Sequence, residues 1–168
     1  MKETKILTAG DSSLLIKFGQ EISPEINAQI TAFVHLMREQ HLEGVTDVIP
    51  AFTSLLINYD PRVIDYRKLK RRLEKLLKLE VSKKASSSRI FEIPVCYGGE
   101  YGPDLENIAK HANLTTQEVI TIHSSSDYLI YMLGFLPGFS YLGGLDERIH
   151  TPRLANPRIR IPAGSVGI

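Results

Sequence analysis

Ser23-Pro24-Glu25-Ile26-Asn27-Ala28-Gln29-Ile30-Thr31-Ala32-Phe33-Val34-His35-Leu36-Met37 decides how the first half of the chain folds. A serine before a proline at the first helical position, with a carboxylate on the positive end of the helix dipole, opens a helix at Ser23. Ile26, Ile30, Phe33, Val34 and Met37 recur at three- and four-residue spacing and build one apolar face. Upstream, Leu14-Leu15-Ile16-Lys17-Phe18 reads as a strand, paired with Ile6-Leu7 across Gly10-Asp11. Downstream, Gly44 ends the unit, and Val45 to Ala51 and Ser54 to Tyr59 read as two strands.

Asp60-Pro61 then reads as the start of a second helix carrying Leu69, Leu73, Leu76 and Leu77 on one side, and Ile90 to Tyr97 as a further strand. Strand, helix, strand, strand, helix, strand is the order of a ferredoxin-like split unit. The small polar tract Ser82 to Ser88 reads as a linker. The expected organisation is therefore α+β, with a ferredoxin-like α/β domain over residues 1–84 and a second domain over 89–168.

Composition narrows the function classes. The 168 residues suffice for one domain or two small ones. Twenty basic residues against nineteen acidic ones leave a net charge of +1, so no bulk charge draws the chain to nucleic acid or a membrane. The start leads into only a short apolar patch, so no signal peptide is expected. The single cysteine, Cys96, excludes an internal disulfide framework and suits a reducing compartment. The expectation is a cytoplasmic protein. The basic cluster Arg67-Lys68 and Lys70-Arg71-Arg72 lies on a helix whose leucines face the other way, and reads as a solvated face.

The second half turns rich in glycine and proline. Asp104 to Asn113 and Thr116 to Ser124 read as helices, the latter with a Thr115/Glu118 capping box. Gly98-Gly99-Glu100-Tyr101-Gly102 has the place of a phosphate loop, but Glu100, Asp104 and Glu106 crowd it and no lysine-serine pair follows, so it reads as a plain turn. Cys96 reads as a buried structural thiol. The histidines show no ligand spacing, so no metal is expected.

Three features suggest a site. Tyr131 to Gly144 is apolar, aromatic, glycine-rich and uncharged, and its glycines and proline argue against a membrane span. Phe135, Pro137, Phe139 and Tyr141 read as the wall of a site or of a subunit interface. His123, at a helix end beside Ser124, is the candidate catalytic residue: a helix cap in one reading, a general acid, base or carbonyl-orienting group in the other. Arg158-Ile159-Arg160-Ile161 alternates like a strand stiffened by prolines at 152, 157 and 162. Arg158 and Arg160 would then share one face, with Arg153 nearby, to hold a carboxylate, a phosphate or a partner's acidic residues.

Tyr-Met-Leu-Gly-Phe-x-Pro-Gly-Phe-x-Tyr-Leu-Gly-Gly-Leu from Tyr131, and Pro-Arg-x-x-x-Pro-Arg-x-x-Ile-Pro-Ala-Gly-Ser-Val-Gly-Ile from Pro152, resemble the signature of the allophanate hydrolase subunit 1 family. Glu92 to Gly99 and His123-Ser124 add to the likeness. The resemblance implies a ferredoxin-like N-terminal domain followed by a cyclophilin-like β-barrel whose strands continue past Ile168, in keeping with an abrupt apolar end. It implies a 5-oxoprolinase B subunit that works with A and C subunits to open 5-oxo-L-proline to L-glutamate with ATP, the isolated chain being inactive. A second implied role is a binding protein that inhibits a sensor histidine kinase through its dimerisation domain.

Overall fold

Strict alternation in two strands sets the first sheet. In β2 (Ser13–Lys17) Leu14 and Ile16 are buried, and in β4 (Ser54–Tyr59) so are Leu55, Ile57 and Tyr59. The strands run antiparallel with Leu14 opposite Ile57 and Ile16 opposite Leu55, so the buried rows meet on one face. β1 (Lys5–Thr8) adds to the free edge of β2, as the sequence predicts, and β3 (Val45–Pro50) to that of β4. The order β1-β2-β4-β3 is antiparallel throughout. The computed structural model describes residues 4–79 and 89–168; the expected linker at Ser82–Ser88 lies outside the described residues.

Two helices close this core. α1 (Pro24–Gln40) starts where Ser23 predicts: its hydroxyl accepts from the Ile26 amide at 3.2 Å. Ile30, Phe33, Val34 and Met37 face inward. α2 (Tyr66–Leu77) buries Leu69, Leu73 and Leu76. It begins later than expected. The Asp60 carboxylate is held by the guanidinium and backbone of Arg62 within a turn, which keeps it charged with its pKa down at about 2, and Asp65 caps the helix instead, accepting from the Lys68 amide at 2.9 Å.

The expected strand at Ile90–Tyr97 is absent. Residues 89–97 form no regular structure and pair with no described strand, leaving Ile90, Phe91, Ile93 and Cys96 exposed. Cys96 is therefore not the buried thiol that the apolar alternation suggests. α3 (Leu105–Ala112) and α4 (Thr116–Ser124) follow, with both halves of the Thr115/Glu118 capping box made. Ala109, Val119, Ile122 and Ile149 form a separate small core. β5 (Leu129–Leu133) and β6 (Ser140–Gly143) make a two-stranded sheet within the aromatic, glycine-rich stretch. Gly138, at φ +78°, takes a left-handed turn that favours glycine.

The chain divides into two compact units. One holds Met1–Ser88 with Ile130–Tyr141; the other holds Arg89–Leu129 with Leu142–Ile168. The architecture is mixed α/β with antiparallel sheets, and no closed barrel forms among the described residues. Residues 150–168 contain no strand, so Arg158 and Arg160 share no strand face; Ile159 and Ile161, expected on the buried side, are exposed. Alternation alone makes no strand without a neighbour to receive its hydrogen bonds.

Candidate functional site

His123 ends α4, where the capping box and the packing of Val119 and Ile122 into the second core fix the helix. Its ring lies between two tyrosines. The Tyr97 hydroxyl is 2.5 Å from Nδ1, and the Tyr97 and Tyr128 rings stand 5.7 and 5.3 Å from the imidazole. The Tyr128 hydroxyl donates to the His123 backbone carbonyl at 2.8 Å. Burial holds the His123 pKa below its ordinary value, so the ring is neutral at neutral pH. Burial likewise raises Tyr97, and it raises Tyr128 with help from Tyr97 and the Asp146 carboxylate, so both phenols stay protonated. Nδ1 is engaged by Tyr97, and no described residue bonds Nε2.

The turn after Tyr97 fixes where that phenol sits. A Cβ at Gly102 would collide with the Gly98 backbone nitrogen, so the two ends of the turn approach as only glycine allows. Gly98, at φ +78°, adds a second conformational requirement.

The aromatic stretch folds as a hairpin, and its residues Tyr131 to Tyr141 belong to the first unit. Phe52, in the loop between β3 and β4, contacts Tyr131 at 5.5 Å and Tyr141 at 5.8 Å between ring centroids. Asn27 of α1 donates from Nδ2 to the Tyr131 carbonyl at 3.0 Å. Tyr141 touches Phe139, and Phe139 touches Phe135, so three of the four expected wall residues form one ring ladder. Phe135 at the tip is 81% exposed, in a left-handed backbone conformation at φ +63°, and Pro137 beside it is exposed.

The arginines lie in the second unit. Arg158 makes a two-pronged ion pair with Asp104, at 2.5 and 2.6 Å. That guanidinium lowers the Asp104 pKa, and Asp104 raises that of Arg158, so both stay charged. This explains why Asp104 leaves the first turn of α3 without a side-chain cap. Arg153 and Arg160 are exposed and form no ion pair among the described residues. No hydrogen bond or ion pair links His123 to the three arginines. Among the described residues, no group of three or more His, Cys, Asp or Glu side chains could hold a metal ion, and no helix is long and apolar enough to cross a membrane.

Sequence reasoning missed Tyr97, Tyr128, Phe52, Asn27 and Asp104. Only Tyr128 had a local signal, five residues after His123; the others act across 26 residues or more.

Residues 4–168 match the family described as carboxyltransferase domain, subdomain C and D. The chain belongs to that family. The resemblance read from the Tyr131 and Pro152 motifs is thereby borne out. The chain is 46% identical over 169 residues to the 5-oxoprolinase B subunit of Bacillus subtilis (strain 168), a match covering 95% of this chain and 70% of that protein. It is 38% identical to the 5-oxoprolinase B subunit of Haemophilus influenzae (strain ATCC 51907 / DSM 11121 / KW20 / Rd), covering 97% of this chain and 75% of the relative. Among solved structures it resembles TTHA0988, with a TM-score of 0.76 and 32% identity over 90% of this chain and 29% of the other.

Proposed function

We propose that the chain is the B subunit of a 5-oxoprolinase complex, completed by A and C subunits, that opens 5-oxo-L-proline to L-glutamate with ATP. The observation that carries this reading is the identity to two 5-oxoprolinase B subunits across 95% and 97% of the chain. In finer terms, the first unit is a ferredoxin-like fold in which β1 takes the edge next to β2 that a terminal strand would fill, and the second belongs to a cyclophilin-like barrel.

The geometry supports a particular division of labour. A half-buried neutral imidazole suits a carbonyl better than a carboxylate, and His123 is assigned to the lactam carbonyl oxygen, where a donated hydrogen bond draws electron density from the carbon that water attacks. Arg153 and Arg160 are assigned to the substrate carboxylate or a partner's acidic groups. Arg158 can join them only by leaving Asp104. The exposed tip with Phe135, Pro137 and Phe139 is assigned to a subunit contact, where aromatic anchors concentrate binding energy.

Among the described residues, the turn placed where a phosphate loop would sit does not fit a nucleoside triphosphate. That glycine turn, residues 98–102, is flanked by Glu100, Asp104 and Glu106, with Asp104 committed to Arg158. ATP is assigned to a partner subunit, and no step here runs through it.

The test is co-expression with A and C subunits and an assay of ATP-dependent glutamate release from 5-oxoproline. The complete complex should turn over, and this chain alone should not. Full activity of the A and C subunits without this chain would sink the proposal.

A further inference from the structure

We propose that Tyr97 is a positioning residue that fixes the tautomer of His123: its phenol donates to Nδ1, so the ring carries its proton on Nε2 and offers a ligand oxygen one N–H donor. The inference rests on the reading of His123 as the carbonyl-binding residue.

Two neutral groups 2.5 Å apart must share one proton between phenol oxygen and ring nitrogen. If the ring donated, Nδ1 would carry the proton and Nε2 would be left a bare acceptor, unable to hold a carbonyl oxygen. The phenol is the more acidic donor, and the imidazole nitrogen a better acceptor than a phenol oxygen. Donation from Tyr97 to Nδ1 is therefore the favoured direction. Burial, which keeps the ring neutral and the phenol protonated, works the same way.

The surroundings remove the alternatives. The second phenol, Tyr128, flanks the ring with its plane tilted by 39°, but its hydroxyl is committed to the His123 backbone carbonyl at 2.8 Å. It therefore pins the helix end and leaves the ring nitrogens alone. Tyr97 meets the ring nearly edge-on, at 78°, which suits a bond in the imidazole plane. The ligand that fits a single neutral N–H is an uncharged oxygen acceptor, such as an amide, lactam or urea carbonyl. A phosphate or carboxylate would call for a cation at the same place.

The experiment is nitrogen NMR of the full chain labelled with ¹⁵N-histidine, in wild type and Tyr97→Phe, with a thermal midpoint for each. Wild-type His123 should show a protonated Nε2 and a bare Nδ1, and Tyr97→Phe should shift both signals toward an averaged pair of tautomers at similar thermal midpoint. A wild-type spectrum with the proton on Nδ1 overturns the proposal even if the variant fails to fold. So does a variant spectrum identical to wild type. In the complex with A and C subunits, Tyr97→Phe should lower kcat roughly 2- to 10-fold, the size of one neutral hydrogen bond, with little change in KM. A tautomer that shifts as expected while kcat stays put refutes the role given to His123 and leaves the tautomer assignment standing.

Discussion

Replacing Phe52 by alanine should loosen the aromatic hairpin selectively. Phe52 is the only described ring outside the hairpin that touches it within the first unit, through Tyr131 and Tyr141. An aromatic pair of this geometry contributes about 0.5–1.5 kcal/mol beyond its buried area, so two pairs contribute roughly 1–3 kcal/mol. At about 1.4 kcal/mol per tenfold, the closed-to-open ratio of the hairpin should fall roughly 5- to 150-fold. The readout is native-state hydrogen exchange. Two amides report the hairpin directly: Gly134, which donates to the Phe139 carbonyl at 3.1 Å, and Phe139, which donates to the Leu136 carbonyl at 3.1 Å. Both should exchange faster by that factor in Phe52→Ala. The reasoning fails if Gly134 and Phe139 keep wild-type rates while amides of β2 and β4 speed up. Phe52 would then serve the sheet alone.

Changing Arg158 and Arg160 together to alanine should leave the thermal midpoint nearly unchanged, because both side chains are exposed, and should impair assembly or activity with A and C subunits; normal assembly and turnover would make these arginines mere decoration. Ile159→Asp should also leave the midpoint unchanged, since Ile159 is fully exposed, and a large drop would show that it is buried in solution. The second unit should lose stability as pH falls below 6.5. The unfolded imidazole of His123 then binds a proton before the folded one, so stability from this group is complete above 6.5 and is lost as pH drops through the lowered folded pKa. Urea midpoints at pH 7 and pH 5 should converge in His123→Gln, and an unaltered gap would locate the effect elsewhere. Asp60 and Asp146, held at about 2 by their arginines, add stability of the same sign in a separate, more acidic window, complete above their unfolded value of 3.8.

What was legible in the sequence is what local physics controls. Ser23-Pro24-Glu25 and Thr115 with Glu118 satisfy helix amides within one turn, so their signals survive folding unchanged. The alternation of Leu14 and Ile16 against Leu55 and Ile57 was legible because both rows find partners. Asp60-Pro61 misled because an aspartate that bonds an amide two residues on resembles a cap, whereas that carboxylate closes a turn around Arg62. Ile90 to Tyr97 and Arg158 to Ile161 misled for another reason. A period of two states only which side chains would share a face if a neighbouring strand were present, and none of the described strands lies beside them.

The same distinction explains how much of the site could be read in advance. His123 stood out because it ends a helix beside Ser124, just before the aromatic stretch, but its chemistry is set from elsewhere. Tyr97 reaches Nδ1 across 26 residues, through a glycine turn that looks in sequence like a failed phosphate loop. The glycines of that turn let the backbone of Gly98 and Gly102 meet, and so position the residue just before them. Arg158 and Asp104 tell the same story across 54 residues, where a carboxylate that seemed to crowd a helix start is held by an arginine that seemed free to bind a ligand. A residue's type announces what it can do, whereas the partner that selects among those options is supplied by the fold. For His123 that partner is a phenol, and a phenol on Nδ1 turns an ambiguous histidine into a donor at Nε2.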